Sequence, residues 1–322
     1  MTLVGSDHGS TLQAHDALSG TRLWRRNLRA GLWNAPTLRG NRLFLSPHDQ
    51  SLLSLRVETG EFLWRQGPRF PEGSPRLPGV SPPLNRAAPV LLNEEIATIS
   101  LDGQVSVLSS SGTILRQADL QPGRFHPDGF WATPVALDGI LYIGTTRGNL
   151  WRVPLQALAR ATRIVLEAPP GRGLGQASLE VRAPLLATSN RILVATMDGT
   201  LRGFEPRPFR LVHSWTSTLG PPGVYQMSSQ GCALAGPVLA PEGNRIYLAL
   251  RDRVLALDPE DGQVAWERPL EELAETPPGL LARHPAGGVT DLSTAGPGPF
   301  QRRASCDLGA PGPAHSRPRD LG

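Results

Sequence analysis

The sequence predicts an all-β protein, a β-propeller of four-stranded blades over residues 1–270, with a tail of different character over 271–322. Three observations carry this: a recurring strand–turn–strand phrase ending in tryptophan, a proline-bearing segment ahead of most copies, and abundant turn formers. The 322 residues include 35 glycines and 32 prolines, which favours short strands joined by turns over long helices.

The repeat comes first because it decides the architecture. The stretches LVGSDHGSTLQAHDALSGTRLW (3–24), FLSPHDQSLLSLRVETGEFLW (44–64) and YLALRDRVLALDPEDGQVAW (247–266) share one plan. Each has an apolar run, a polar turn, a second apolar run, a turn ending in glycine, and tryptophan. Gly20, Gly60 and Gly262 take the turn position that needs positive φ, and Trp24, Trp64 and Trp266 follow each glycine. A further element, such as APTL, APVL or TPVA, places Pro36, Pro89, Pro134, Pro184 and Pro237 at intervals of about 45–53 residues. Each proline is followed by a turn and another apolar run. The unit is therefore four short strands in about 40–50 residues, one propeller blade. Intermediate copies have drifted. The segment 101–117 has Arg116 where tryptophan is expected, 146–158 loses the terminal turn, and 197–215 keeps Gly199 and Trp215 with a lengthened turn. Six copies are traceable, the first one incomplete.

These residues resemble the repeat of pyrroloquinoline-quinone (PQQ)-type propellers, over about residues 1–270. The phrase GSTLQAHDALSGTRLW and three independent tryptophan copies carry the resemblance. It implies that the repeat tryptophan stacks on the small residues of a neighbouring blade, so Trp24, Trp64, Trp215 and Trp266 are expected to be structural docking residues. It also implies relatives of several kinds: quinone-dependent dehydrogenases, a propeller lipoprotein of outer-membrane β-barrel assembly, and sensor domains.

The ends are expected to depart from a complete ring. Thr2-Leu3-Val4 reads as the second strand of a blade, with no proline strand before it, which points to an N-terminally truncated member. The alternative is that Gly288–Leu292 returns to complete the first blade. Residues 271–322 are rich in Gly, Pro and Ala and read as disordered, since such a segment buries too little surface to offset its ordering entropy. As written the chain opens without a basic or apolar leader, which reads as cytoplasmic; a start further upstream would place it outside the cytoplasm.

Composition narrows the function. All 32 basic residues are arginines, which reflects coding-sequence composition, and the net charge is +4. Acidic and basic residues are intermixed, and the densest basic cluster (Arg22, Arg25, Arg26 and Arg29) has Asp16 nearby, so nucleic acid is not the expected partner. No stretch of 18 apolar residues offers a membrane span. Cys232 and Cys306 have no metal-ligand spacing. The resemblance to quinone enzymes would bring a bound quinone, a metal, adjacent cysteines and an aspartate base, yet no Cys-Cys pair exists and no converging oxygen ligands can be nominated. The glycine-rich GRGLG at 171–175 lacks the lysine and helix of a phosphate loop, and neither G-x-S-x-G nor H-E-x-x-H occurs. His8 and His48, beside Asp7 and Asp49, read as polar turn residues. No catalytic residue, metal or cofactor is expected.

Binding remains. Loops between second and third strands, and loops between blades, open on one face. Trp33 and the run Phe125 to Trp131 precede proline strands there, and Tyr225 lies in a third such loop. Trp33, His126, Phe130, Trp131 and Tyr225 are the candidate partner contacts, because aromatics amid polar loops suit protein recognition; the same aromatics could instead pack between blades. The expected function is a non-enzymatic protein-binding scaffold, with self-association through unclosed blade edges as a further expectation. The alternatives are a fragment or descendant of a quinone-dependent dehydrogenase, or a small-ligand or carbohydrate sensor.

Overall fold

The computed structural model describes residues 2–5, 10–32, 34–49, 51–67, 87–121, 128–167, 179–207, 210–219, 236–250 and 253–269. The chain divides into two units, Met1–Pro278 and Gly279–Gly322, and every described residue belongs to the first. The tail expected at 271–322, including the strand weighed at 288–292, lies outside the described residues.

The first sheet holds β1 (Thr2–Gly5), β2 (Thr11–His15) and β3 (Arg22–Asn27). The second holds β4 (Thr37–Arg39), β5 (Arg42–Leu45), β6 (Leu52–Arg56) and β7 (Phe62–Gln66). The third is β8 (Val90–Leu91), β9 (Glu95–Ile99), β10 (Gln104–Ser109) and β11 (Ile114–Asp119). The fourth is β12 (Val135–Leu137), β13 (Ile140–Gly144), β14 (Asn149–Pro154) and β15 (Thr162–Val165), with a short 3-10 turn at Leu158–Arg160. The fifth is β16 (Leu186–Ala187), β17 (Ile192–Thr196), β18 (Thr200–Arg207) and β19 (Arg210–Thr218). The sixth is β20 (Val238–Leu239), β21 (Ile246–Ala249), β22 (Arg253–Leu257) and β23 (Val264–Pro269). All are antiparallel meanders. Each proline segment ends in an innermost strand, and the first sheet, which has no such segment, has three strands among the described residues. The architecture is an all-β propeller, with six blades among the described residues.

Burial follows position in the blade. The middle strands pack on both faces, as in the unbroken burial of Ile192–Thr196 and of Leu52–Leu55, while outer strands such as Arg22–Asn27 are mostly exposed. Strands covered on both faces tolerate continuous apolar runs. Neighbouring blades share their cores. Leu12, Ala14 and Trp24 of the first pack with Leu43, Leu45, Leu53 and Leu55 of the second, and Phe44 and Leu52 of the second pack with Ile96 and Leu108 of the third. Similar clusters join third to fourth, fourth to fifth and fifth to sixth.

A feature hidden from the sequence recurs between third and fourth strands. The register slips by one residue just after Ala14↔Trp24, Ser54↔Trp64, Val107↔Arg116, Gly203↔Trp215 and Ala256↔Trp266. A bulge of this kind leaves one residue unopposed and re-aims its neighbour; here it precedes the repeat tryptophan, or Arg116 in its place. In the fourth blade β14 and β15 pair without such a slip, and that blade also lacks the tryptophan.

Candidate functional site

The inter-blade seats fix how far adjacent blades stand apart and where their loops emerge. Trp24 lies on the turn of the second blade: its Nε1 donates to the Val57 carbonyl at 2.8 Å, and a Cβ at Gly60 would fall 2.6 Å from the indole. Arg26 reinforces this seat, donating to the carbonyls of Gly60 and Thr59. Trp64 repeats it on the third blade, with Nε1 donating to Ser110 at 3.0 Å and Gly112 beneath the ring. Trp215 is held between Gly203 of its own blade and Gly262 of the next. Covering an indole in this way is worth about 4–5 kcal/mol of transfer free energy. Arg116 takes the place of the tryptophan in the third blade; it donates from Nε to the Leu155 carbonyl at 2.8 Å and pairs with Glu95. The drifted copy thus keeps the donor to the next turn and loses the ring. Trp266 packs on Ala249 and Val254 of its own blade, with Tyr247 tilted against it.

Antiparallel meanders place the turns between second and third strands at the same end as the inter-blade loops, and hydrogen bonds knit the two sets together. The Gly31 carbonyl accepts from the His48 amide, Gly129 accepts from Thr146, and Glu180 accepts from Met197. At the fourth blade this face is organised by a buried carboxylate. Asp128 accepts through Oδ2 from the Asn149 amide group and from Thr145 Oγ1, and Oδ1 faces Arg147 Nε at 3.4 Å. The Asp128 backbone closes a ring with the Gln121 side chain, donating to Oε1 at 2.9 Å and accepting from Nε2 at 3.2 Å. A buried charge persists only where it is hydrogen-bonded or paired, so this loop end is fixed in place.

The same face carries arginines and a tryptophan, each arginine facing a carboxylate. Arg147 is 55% exposed above Asp128. Beside it Trp131 is half-buried, with the Arg182 guanidinium 4.6 Å from its ring centroid and Glu180 paired to Arg182. Stacked arginine on tryptophan, part-exposed, suits recognition of acidic or carbonyl-bearing protein surface. Phe130 is the correction among the candidates: it is fully buried, its ring under Gly103 in the core between third and fourth blades, and it offers no surface to a partner. Adjacent residues of an extended segment point to opposite sides, so one aromatic of the pair turned inward. Trp33, His126 and Tyr225 lie outside the described residues, as do His8, Asp7, Cys232, Cys306 and the 171–175 segment. Arg182 and Glu180 were missed; the only sequence signal was their place just before Pro184.

At the opposite end the first strands of the second to fourth blades line a groove of about 830 Å³, with Leu38, Arg39, Leu91, Glu94, Leu137 and Asp138 on its walls. Arg39 donates to the carbonyls of Leu92 and Glu95 and thereby ties the second blade to the third. Among the described residues no three His, Cys, Asp or Glu side chains gather to hold a metal ion. Other buried polar groups are structural. Burial pushes the Arg202 guanidinium below its usual range, and Asp198 partly restores it; the pair staples the turn of the fifth blade with Thr196 and Thr200. Burial likewise pushes the Tyr142 hydroxyl up, against Arg152.

Repeat geometry, glycine seats and blade order together define a PQQ-type repeat propeller. The chain belongs to the family described as outer membrane protein assembly factor BamB, whose model matches residues 2–122 and 101–278. The crystal structure of BamB from Moraxella catarrhalis is similar at a TM-score of 0.62 and 16% identity, covering 87% of this chain and 76% of that one. Quinohemoprotein alcohol dehydrogenase from Comamonas testosteroni aligns at a TM-score of 0.55 and 10% identity, over 76% of this chain and 44% of that one. At such identities these neighbours share the fold alone. Protein Rv3035 of Mycobacterium tuberculosis is 31% identical over 187 residues, 53% of this chain and 42% of that protein, so the match spans less than half of the curated relative.

Proposed function

We propose that this propeller is a non-catalytic module that binds another protein on the face carrying the inter-blade loops. The observation that carries the reading is the Trp131–Arg182 stack on the same face as exposed Arg147, which faces buried Asp128. A contact surface of this type concentrates its binding energy in tryptophan and arginine, and a fixed base lowers the cost of ordering them on association. The family description, an assembly factor, supports a protein partner. Trp33, His126 and Tyr225, which the sequence puts ahead of proline segments, are proposed to extend the patch. The four repeat tryptophans are proposed to act in blade docking rather than in partner contact.

Trp131→Ala with Arg182→Glu tests this. Both side chains are partly exposed, so the double variant is expected to keep the unfolding midpoint within a few degrees while losing partner binding by tenfold or more, equivalent to about 1.4 kcal/mol. A large fall in midpoint with binding unchanged would mean that the stack only packs blades together. The dehydrogenase reading is separated by titrating PQQ with calcium: the scaffold reading expects no spectral change and no dye reduction with alcohols, and turnover would overturn it.

A further inference from the structure

Of the six outer strands, five are broken by a bulge and β15 is not. In β3, β7, β11, β19 and β23 the register slips beside the repeat tryptophan or Arg116. Thr162 to Val165 instead pair residue for residue with Arg152 to Asn149. Thr162 stands opposite Arg152, where the repeat sets tryptophan opposite alanine, serine or glycine, so no indole ties this strand to the next blade. Sheet edges are blunted by bulges, prolines or charges that stop another strand from pairing. β15 has neither bulge nor proline, and its one charge is Arg163. The direction of its backbone groups follows from the ladder. The Leu166 amide donates to the Gly148 carbonyl, and bonding groups alternate along an antiparallel strand. Thr162 and Ile164 therefore bond toward β14, and the N–H and C=O of Arg163 and Val165 point away from the sheet. Among the described residues no strand pairs with this edge, and no backbone hydrogen bond reaches those groups. Val165 is 63% exposed and shares a face with exposed Arg163.

We propose that β15 is a docking edge for an extended segment of another protein, which joins the fourth blade as an added outer strand. This goes beyond the loop face, since it uses the outer rim of the blade. Backbone hydrogen bonds to Arg163 and Val165 supply the attachment, and side chains at alternate positions supply the selection. The edge defines the chemistry of the segment. An apolar β-branched residue suits Val165, and an acidic residue suits Arg163, with exposed Arg160 close by in sequence adding to the positive charge. Opposite charges across paired strands are favourable and like charges are not. The same arginines therefore disfavour a second copy of β15, which would bring Arg160 and Arg163 toward their own equivalents.

The test uses the 322-residue chain and a blocked, fluorescein-labelled peptide, Thr-Val-Glu-Val-Thr-Ser, followed by fluorescence anisotropy. A second peptide of the same sequence, N-methylated at its two central residues, keeps the side chains and blocks both strand edges. Val165→Pro removes an outward N–H that the ladder to β14 does not use, a position where an edge strand accepts proline; Val165→Thr keeps that N–H. The expected result is saturable binding of the first peptide, weakened tenfold or more by methylation and by Val165→Pro, and retained in Val165→Thr. Arg163→Glu, on an exposed side chain, guards against misfolding of the proline variant. It is expected to weaken binding of this peptide, and lysine in place of the peptide's glutamate is expected to restore it. Absence of saturable binding, equal binding of the methylated peptide, or failure of the charge exchange overturns the proposal. So does a wild-type mass in sedimentation that rises with concentration while Val165→Pro stays monomeric, which would assign the edge to a second copy.

Discussion

At the scale of single residues, the glycine under each indole decides whether two blades can touch. Gly60 combines positive φ with a position where a Cβ would fall 2.6 Å from Trp24, whereas Gly40 has positive φ and open space around it. Alanine at both positions separates the two effects. Gly40→Ala is expected to lose about 1 kcal/mol from backbone strain alone, and Gly60→Ala about 2–4 kcal/mol because the indole must also move; urea unfolding measures both. Trp24→Ala, which empties the same seat, is expected to cost about 3–5 kcal/mol. Asp128→Ala removes the acceptor for Asn149 and Thr145 and is expected to cost about 2–3 kcal/mol, with faster amide exchange confined to 128–134 and 145–149. Equal losses for Gly40→Ala and Gly60→Ala would contradict the seat geometry.

At the scale of elements, the sequence made the strong repeats legible and left the drifted ones underspecified. The glycine-to-tryptophan spacing located three outer strands, and beneath Trp24 and Trp64 the structure places Gly60 and Gly112, because an indole needs a small residue beneath it. The bulge beside each seat was not legible, since it arises from one unopposed residue (Leu23 or Leu63, for instance) that reads like any other strand residue. Arg116 looked like a lost tryptophan, and the structure shows it reaching the same turn through a hydrogen bond. Ion pairs between blades add smaller contributions. Arg191 and Asn190 of the fifth blade donate to Glu260 in the sixth and hold its carboxyl below the usual range. A depressed folded value means the contribution is present above the ordinary glutamate range and fades as pH falls through the folded value. The difference in unfolding free energy between wild type and Glu260→Gln is therefore expected to stay within about 1 kcal/mol at neutral pH, given the exposure of Glu260, and to shrink toward zero in acid. A difference that grew in acid would contradict the pairing.

At the scale of the whole molecule, the repeat period alone carried the propeller, because each blade contacts mainly its neighbours and tolerates local drift. The candidate face was only half legible. Trp131 stood out as an aromatic outside the repeat position, but Phe130 beside it turned inward, and Arg182 arrives from a loop some fifty residues away in sequence. No pattern within one repeat encodes a stack between two loops. The most direct test of the binding reading is photo-crosslinking in cells from position 147, at the exposed edge of the patch, against position 94 on the opposite end of the blades. The account predicts a discrete crosslinked protein from 147 that disappears with Trp131→Ala and Arg182→Glu, and little or none from 94. Equal capture from both ends, or capture at 147 that survives the double variant, would contradict it.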